Sequence, residues 1–349
     1  MKRSIVLFTT LLGMCLNGIH LSGTAADASG KLAVNGMDIH RLATTSKGVV
    51  FGVGTIDAGI VRSTDDGTTW TATKPPGLDD FVRSLAATPD GALFASTPSR
   101  IYKSSDEGNS WREVTAGIPK NTQISSIVHT GGQVFALASP GLFRFSEHDG
   151  KWKSVNRNVA LISLAVMPDK TMIAVDESQY LHRSTDQGRR WKTIRDVPDQ
   201  YNYLVQSVIA LDDHTLLAGL LVSGTLKSSD GGRQWVFKGQ GLPRLAEGMV
   251  QALTVTRDGT VFMGINDKLY RSVDKGEAWT LSNRGLPQVG MATDAASRIV
   301  GPQAWTVAES GNGTVLLGGR TGIFKSIDRG QHWSPALKIN IDPGVGAPR

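Results

Sequence analysis

The sequence predicts an all-β protein built as a single seven-bladed β-propeller, each blade a four-stranded antiparallel sheet. Three observations predict it. The pattern Ser-x-Asp-x-Gly-x-x-Trp recurs six times without error, and a seventh, altered copy falls where the period requires it. The copies are preceded by short alternating strands joined by Gly and Asp-Gly turns. Self-similarity at a period of about 40 residues marks a repeat architecture, and four short strands per period mark a propeller blade.

The six copies are Ser63–Trp70, Ser104–Trp111, Ser184–Trp191, Ser228–Trp235, Ser272–Trp279 and Ser326–Trp333. Their shared carboxylates are Asp65, Asp106, Asp186, Asp230, Asp274 and Asp328. The altered copy, Ser146–Trp152, is one residue short and carries His148 in place of Asp. Taken at the Asp position, the steps are 41, 42, 38, 44, 44 and 54 residues, and seven of the eight tryptophans belong to the pattern. Around it, a first strand alternates (Val82–Ala87, Val250–Val255) and a hairpin turn follows (Asp90-Gly91, Asp258-Gly259). A second strand (Leu93–Ala95, Val261–Met263) and a third (Ile101–Lys103, Leu269–Arg271, Ile323–Lys325) come next, and the motif leads into a fourth. Within the motif, Asp suits backbone N–H groups of its own turn and Gly the positive-φ position. Trp is expected to bury its ring between strands and hold the outer hairpin on its blade. A basic residue precedes the motif serine in six copies, Arg62, Lys103, Arg183, Lys227, Arg271 and Lys325, and Arg144 lies two residues ahead of Ser146. These long side chains are expected to lie over neighbouring strands with their charges in water.

Composition narrows the function. With 40% hydrophobic and 19% charged residues in 349, the chain is neither disordered nor a multi-span membrane protein. A single cysteine excludes a disulfide framework, and the absence of HExxH, of paired His and of nucleotide-binding Gly motifs leaves no metal and no cofactor expected. The bases are not interleaved with aromatic residues, so no nucleic-acid partner is expected. Residues 1–26 have the basic, apolar and small-residue regions of a signal peptide cleaved near Ala26. Cleavage would remove Cys15 and lower the net charge from +6 to +4, leaving a periplasmic or secreted chain without a transmembrane segment. The expected layout is then an N-terminal segment over 27–38, the propeller over 39–340 and a flexible tail over 341–349, in a monomer. Residues 31–37 and the tail after Trp333 both remain open as the ring-closing segment.

Ligands are expected at the end of the ring away from the Asp-bearing turns, at the channel mouth. Aligning the first strands gives one column there: His40, Arg83, Ser125, Ile162, Gln206, Gln251 and Gln303, polar in six of seven blades. The inter-blade connections add Tyr201, Tyr203, Arg244 and Arg298, and a strand-joining turn adds Arg320; Asp176 and Glu177 are among the counter-charges. The longest connection, 282–302, accounts for the 54-residue step. An Arg-lined polar pocket for an anionic or hydroxyl-rich ligand and a plain solvated channel both fit this column.

The motif resembles the Asp box, or bacterial neuraminidase repeat, over about residues 35 to 340. The resemblance implies a β-propeller in which the Asp turns are structural. The nearest organisation is that of the photosystem II assembly and stability-factor propellers and their bacterial relatives, which implies a scaffold binding a protein partner or a glycan. A sialidase-like exo-glycosidase is the alternative, implying three Arg, an Asp acid/base and a Tyr nucleophile. Its Phe-Arg-Ile-Pro signature is absent, Phe81-Val-Arg83-Ser being the nearest likeness, so no catalytic residue is carried over.

Overall fold

A computed structural model describes residues 39–54, 59–73, 81–194, 204–221, 224–242, 250–265, 268–287, 304–319, 322–336 and 339–340. The expected leader over 1–26, segment 27–38, tail 341–349 and most of connection 282–302 lie outside them. No helix among the described residues is long and apolar enough to cross a membrane.

Seven antiparallel sheets of four consecutive strands each follow one another along the chain. The first strands are β1 (Ile39–Thr44), β5 (Ser84–Ala87), β9 (Gln123–Thr130), β13 (Leu161–Val166), β17 (Val205–Ala210), β21 (Val250–Val255) and β25 (Ala304–Glu309). Each contacts the next, and β25 contacts β1, so they form the inner wall of a closed ring. The ring is a seven-bladed β-propeller of four-stranded blades. The segment after Trp333, one of the two left open by the sequence, joins blade 1: β29 (Ile339–Asn340) adds a fifth, parallel strand outside β4 (Trp70–Thr73), pairing Ile339 with Trp70. The other, residues 31–37, lies outside the described residues.

The apolar residues fall into seven clusters, one in each seam between adjacent blades. The motif tryptophans sit in these seams. Trp111 of blade 2 packs with Phe51 and Val53 of blade 1, and Trp235 of blade 5 with Ile173 of blade 4. Trp70 joins the seam with blade 7, beside Leu316 and Ile323. The ring therefore bonds a blade to the one before it. It also packs on its own blade, as expected, Tyr102 lying in the same cluster as Trp111 and Leu226 in that of Trp235; the seam contact is the added finding.

The bases ahead of the motif act in the other direction. Arg62 donates to Asn109 Oδ1 (3.0 Å), Lys227 pairs with Glu277 (2.7 Å) and Lys103 with Glu147, in each case on the next blade's motif turn. Lys325 closes the circle onto Thr68 of blade 1 (3.0 Å). Lys103 and Lys227 are buried rather than solvated, the Lys103 ammonium lying over Phe94 and Phe145. These bases are thus fastened into the seams between blades.

The turn itself is the same in all six copies. In blade 2, Ser104 Oγ donates to Asp106 (2.8 Å) and accepts from Gly108 N–H (2.8 Å), while Ser110 N–H donates to Asp106 (2.8 Å). Two successive residues take positive φ, not Gly alone: Asp66, Glu107, Gln187, Lys275 and Arg329 lie between 56° and 60° ahead of the motif glycine. The Ser110 hydroxyl, followed by its N–H, holds the Asp106 carboxyl below its ordinary value; the Arg190 N–H does so for Asp186. A depressed carboxyl stabilises the fold above about pH 4, and the contribution is lost as pH falls through the lowered value. Asp106→Ala is expected to lower stability by ~1 kcal/mol and to leave binding at the far end of the ring intact. Lost binding at an unchanged melting temperature would contradict the structural role.

Candidate functional site

The motif turns and the first hairpin turns share one end of the ring. Lys47 reaches Glu107 (2.8 Å), Lys275 reaches Asp212 (2.8 Å) and Asn312 reaches Asp66 (2.7 Å), each joining a first turn to a neighbouring motif turn. The opposite end carries a β-bulge at the start of the inner strands. In β17, Val205 faces Leu220 and Ser207 faces Gly219, so Gln206 is the extra residue. The same two-against-one register isolates His40, Ser125, Ile162 and Gln251. In blade 2 the Arg83 N–H and Ser84 both meet Ser96, which makes Arg83 the extra residue there. A bulge breaks alternation and re-aims a side chain, often beside a site. His40, Arg83, Gln206 and Gln251 thus come to one level of the channel wall, Arg83 and Gln251 on well-separated blades.

Blade 7 departs from the alignment read from sequence. Ala304 faces Gly319 and Thr306 faces Gly318, so the register puts Trp305 in the column, not Gln303. The signal for it was available: Trp305 is the one tryptophan outside the repeat. Gln303, Tyr201, Tyr203, Arg244, Arg298 and Arg320 lie outside the described residues.

The next position along each inner strand was missed. It carries Ser84, Ser126, Ser163, Ser207 and Thr306, and several hydroxyls accept an N–H from the next blade's inner strand. Ile127 N–H donates to Ser84 Oγ (3.1 Å), Val208 N–H to Ser163 Oγ (3.0 Å) and Leu42 N–H to Thr306 Oγ1 (3.0 Å). Blade 1 has Arg41 at this position. Its side chain is open to solvent yet ringed by the channel wall, and its Nη1 donates to the His40 carbonyl (2.8 Å). That enclosure, then the Arg83 charge, lowers the Arg41 pKa. Neither arginine forms an ion pair with a described carboxylate.

His40 bridges to blade 2, with Nε2 against the Val82 carbonyl (3.1 Å) and its ring stacked on Phe81 at 4.8 Å. Phe81 is 43% exposed beside it. His40 Nδ1, Gln206 Nε2 and Gln251 Oε1 are buried without a partner among the described residues. Burial first, and the Arg41 charge second, lower the His40 pKa to about 4, against the pull of the Val82 carbonyl. The unfolded chain, with an ordinary histidine pKa of about 6.5, then binds more protons, so stability falls as pH drops from about 6.5 towards 4. Thermal unfolding at both ends of that window should show the loss, reduced in His40→Gln. An equal loss in both proteins would contradict the buried neutral ring.

No cluster of described His, Cys, Asp or Glu could hold a metal ion. A closed ring of seven blades with polar bulges round one mouth is a β-propeller scaffold. The chain belongs to the DUF6242 β-propeller domain family, whose model matches residues 92–284. No curated protein matches it. Among solved structures it is similar to YCF48 from Cyanidioschyzon merolae (12% identity, TM-score 0.61, covering 84% of this chain and 97% of that one). It is also similar to YCF48 bound to D1 peptide (14%, 0.61, 90% and 95%). A virginiamycin B lyase from Staphylococcus aureus is a third (13%, 0.64, 82% and 94%). At these identities the likeness is one of fold.

Proposed function

We propose that the protein is an exported scaffold whose channel mouth holds an acidic segment of a partner polypeptide. The observation that carries this reading is the pair Arg41 and Arg83, two guanidinium groups whose charges oppose each other and which meet no described carboxylate. Like charges held together favour an anion between them, and Arg suits a carboxylate bidentately. Exposed Phe81 and the half-buried Gln206 and Gln251 add the aromatic and amide groups typical of a binding hot spot. Two cations and an exposed ring suit an acidic polypeptide better than a neutral glycan. YCF48, of similar architecture, binds a peptide, which supports the same use of this fold. On this reading the motif is an Asp box, kept for the ring and not for chemistry.

The test is fluorescence anisotropy of an extended Asp/Glu-rich peptide against the chain lacking residues 1–26, with a Lys-rich peptide of equal length beside it. The acidic peptide is expected to bind, more weakly as salt rises. Equal binding of both peptides, or of neither, would overturn the proposal. Export is tested by the mass of the periplasmic or secreted chain, expected to begin after Ala26.

A further inference from the structure

Blade 4 departs from a construction shared by blades 3, 6 and 7. In three described seams the incoming connection runs over the next blade's tryptophan and bonds to it. Trp152 N–H donates to Ala116 O (2.8 Å), Trp279 N–H to Gln240 O (2.9 Å) and Trp333 N–H to Arg284 O (2.8 Å). Each of these connections reads Gly-Ile-Pro or Gly-Leu-Pro: Gly117–Pro119, Gly241–Pro243 and Gly285–Pro287. The connection into blade 4, Arg157-Asn158-Val159-Ala160, lacks that sequence and bonds elsewhere, Ala160 O accepting from Glu177 N–H (2.9 Å). Trp191 is left uncovered. It is the motif tryptophan that stays half-buried, while the other five and Trp152 are buried.

A cavity of about 320 Å³ opens there, lined by Asn158, Asp176, Glu177, His182, Trp191 and Thr193 among others. Its polar groups are arranged as a chain. Asp176 Oδ1 accepts from Tyr180 N–H (2.9 Å) and Oδ2 meets His182 Nε2 (2.8 Å), one partner for each oxygen. On the other side of the ring, Nδ1 lies 3.2 Å from the Thr193 hydroxyl. The Trp191 indole N–H is buried with no acceptor among the described residues, whereas Trp70, Trp111 and Trp235 donate to the glycine carbonyl of their own motif (3.2, 3.2 and 3.3 Å). Trp279 shares the orphan N–H among the described residues.

We infer that this cavity is a binding site for a neutral, hydroxyl-rich ligand of one sugar ring. Two carboxylates, with no Lys or Arg in the lining, oppose an anion. An ammonium donates only, so it would leave the Asn158 amide N–H without an acceptor. A hydroxyl both donates and accepts, so it suits the remaining lone pairs of Asp176, Glu177, Thr193 and the Asn158 amide together, with the half-buried indole ring beside it.

The test is a ¹⁵N titration of the full mature protein, read at the Trp191 indole resonance, which Trp191→Phe identifies by its loss. The probes are methyl glucoside, methyl galactoside, methyl mannoside and N-acetylglucosamine, with methylammonium and acetate as charged controls. At least one neutral saccharide is expected to move the resonance saturably, the charged probes not at all. Thr193→Val should weaken that saccharide about fivefold. No movement with any saccharide, or movement with methylammonium alone, overturns the inference. Arg83→Ser should leave this titration unchanged, so failure here and failure at the channel mouth are read separately.

Discussion

Gly241→Ala is expected to destabilise the protein by about 3 kcal/mol or more, one of the largest effects of any single methyl group in the molecule. Gly241 has φ +85°, and a Cβ there would stand 2.0 Å from the Trp279 carbonyl oxygen. Two costs add: the left-handed backbone of an L-residue and an overlap with backbone that no side chain can relieve. Relief requires lifting the connection, which breaks the bond from Trp279 N–H to Gln240 O and uncovers a buried ring. Gly259 is the control. It has φ +84° with nothing within 4 Å of its Cβ, so Gly259→Ala should cost only about 1 kcal/mol. Chemical denaturation of both variants measures the difference, and equal midpoints would show that the connection is not a structural clip.

The second large effect is on binding. Arg41→Ser and Arg83→Ser should each weaken the acidic peptide by about tenfold or more, the loss of one charge-assisted contact. The double variant should reduce binding to the level of the Lys-rich control. Because the Arg41 charge is one cause of the low His40 pKa, Arg41→Ser should also move the His40 titration upward from about 4. That shift is read by NMR without any ligand. It separates a variant that has lost a charge at the mouth from one that has misfolded.

The blade was legible because its chemistry is local. Asp106, Gly108 and the Ser104 hydroxyl satisfy one another within a few residues, so the repeat and its strands can be read along the chain. What joins the blades was not. Trp111 and Arg62 meet partners about one blade away, and an alternating pattern says that a side chain is buried without saying against which sheet. His40, Arg83, Gln206 and Gln251 align because the bulge falls at the same step of each strand. The column slipped in blade 7, where Gln303 attracted the alignment by its polarity and the bulge lies two residues further on. Arg41 was passed over because it follows the column. Its signal was a charge at a position that holds a hydroxyl in five other blades. The cavity at Trp191 left a faint trace, a connection without the Gly-Leu-Pro clip directly after the altered seventh copy.

Hydrogen exchange of the protein with and without the acidic peptide tests the central claim most directly. Protection is expected in the segments that start the inner strands, around His40–Arg41, Val82–Ser84, Gln206–Ser207 and Gln251–Ala252. The motif turns at Ser63–Trp70, Ser104–Trp111 and Ser272–Trp279 should exchange as in the free protein. Protection confined to those turns would place the partner on the opposite end of the ring and contradict the account.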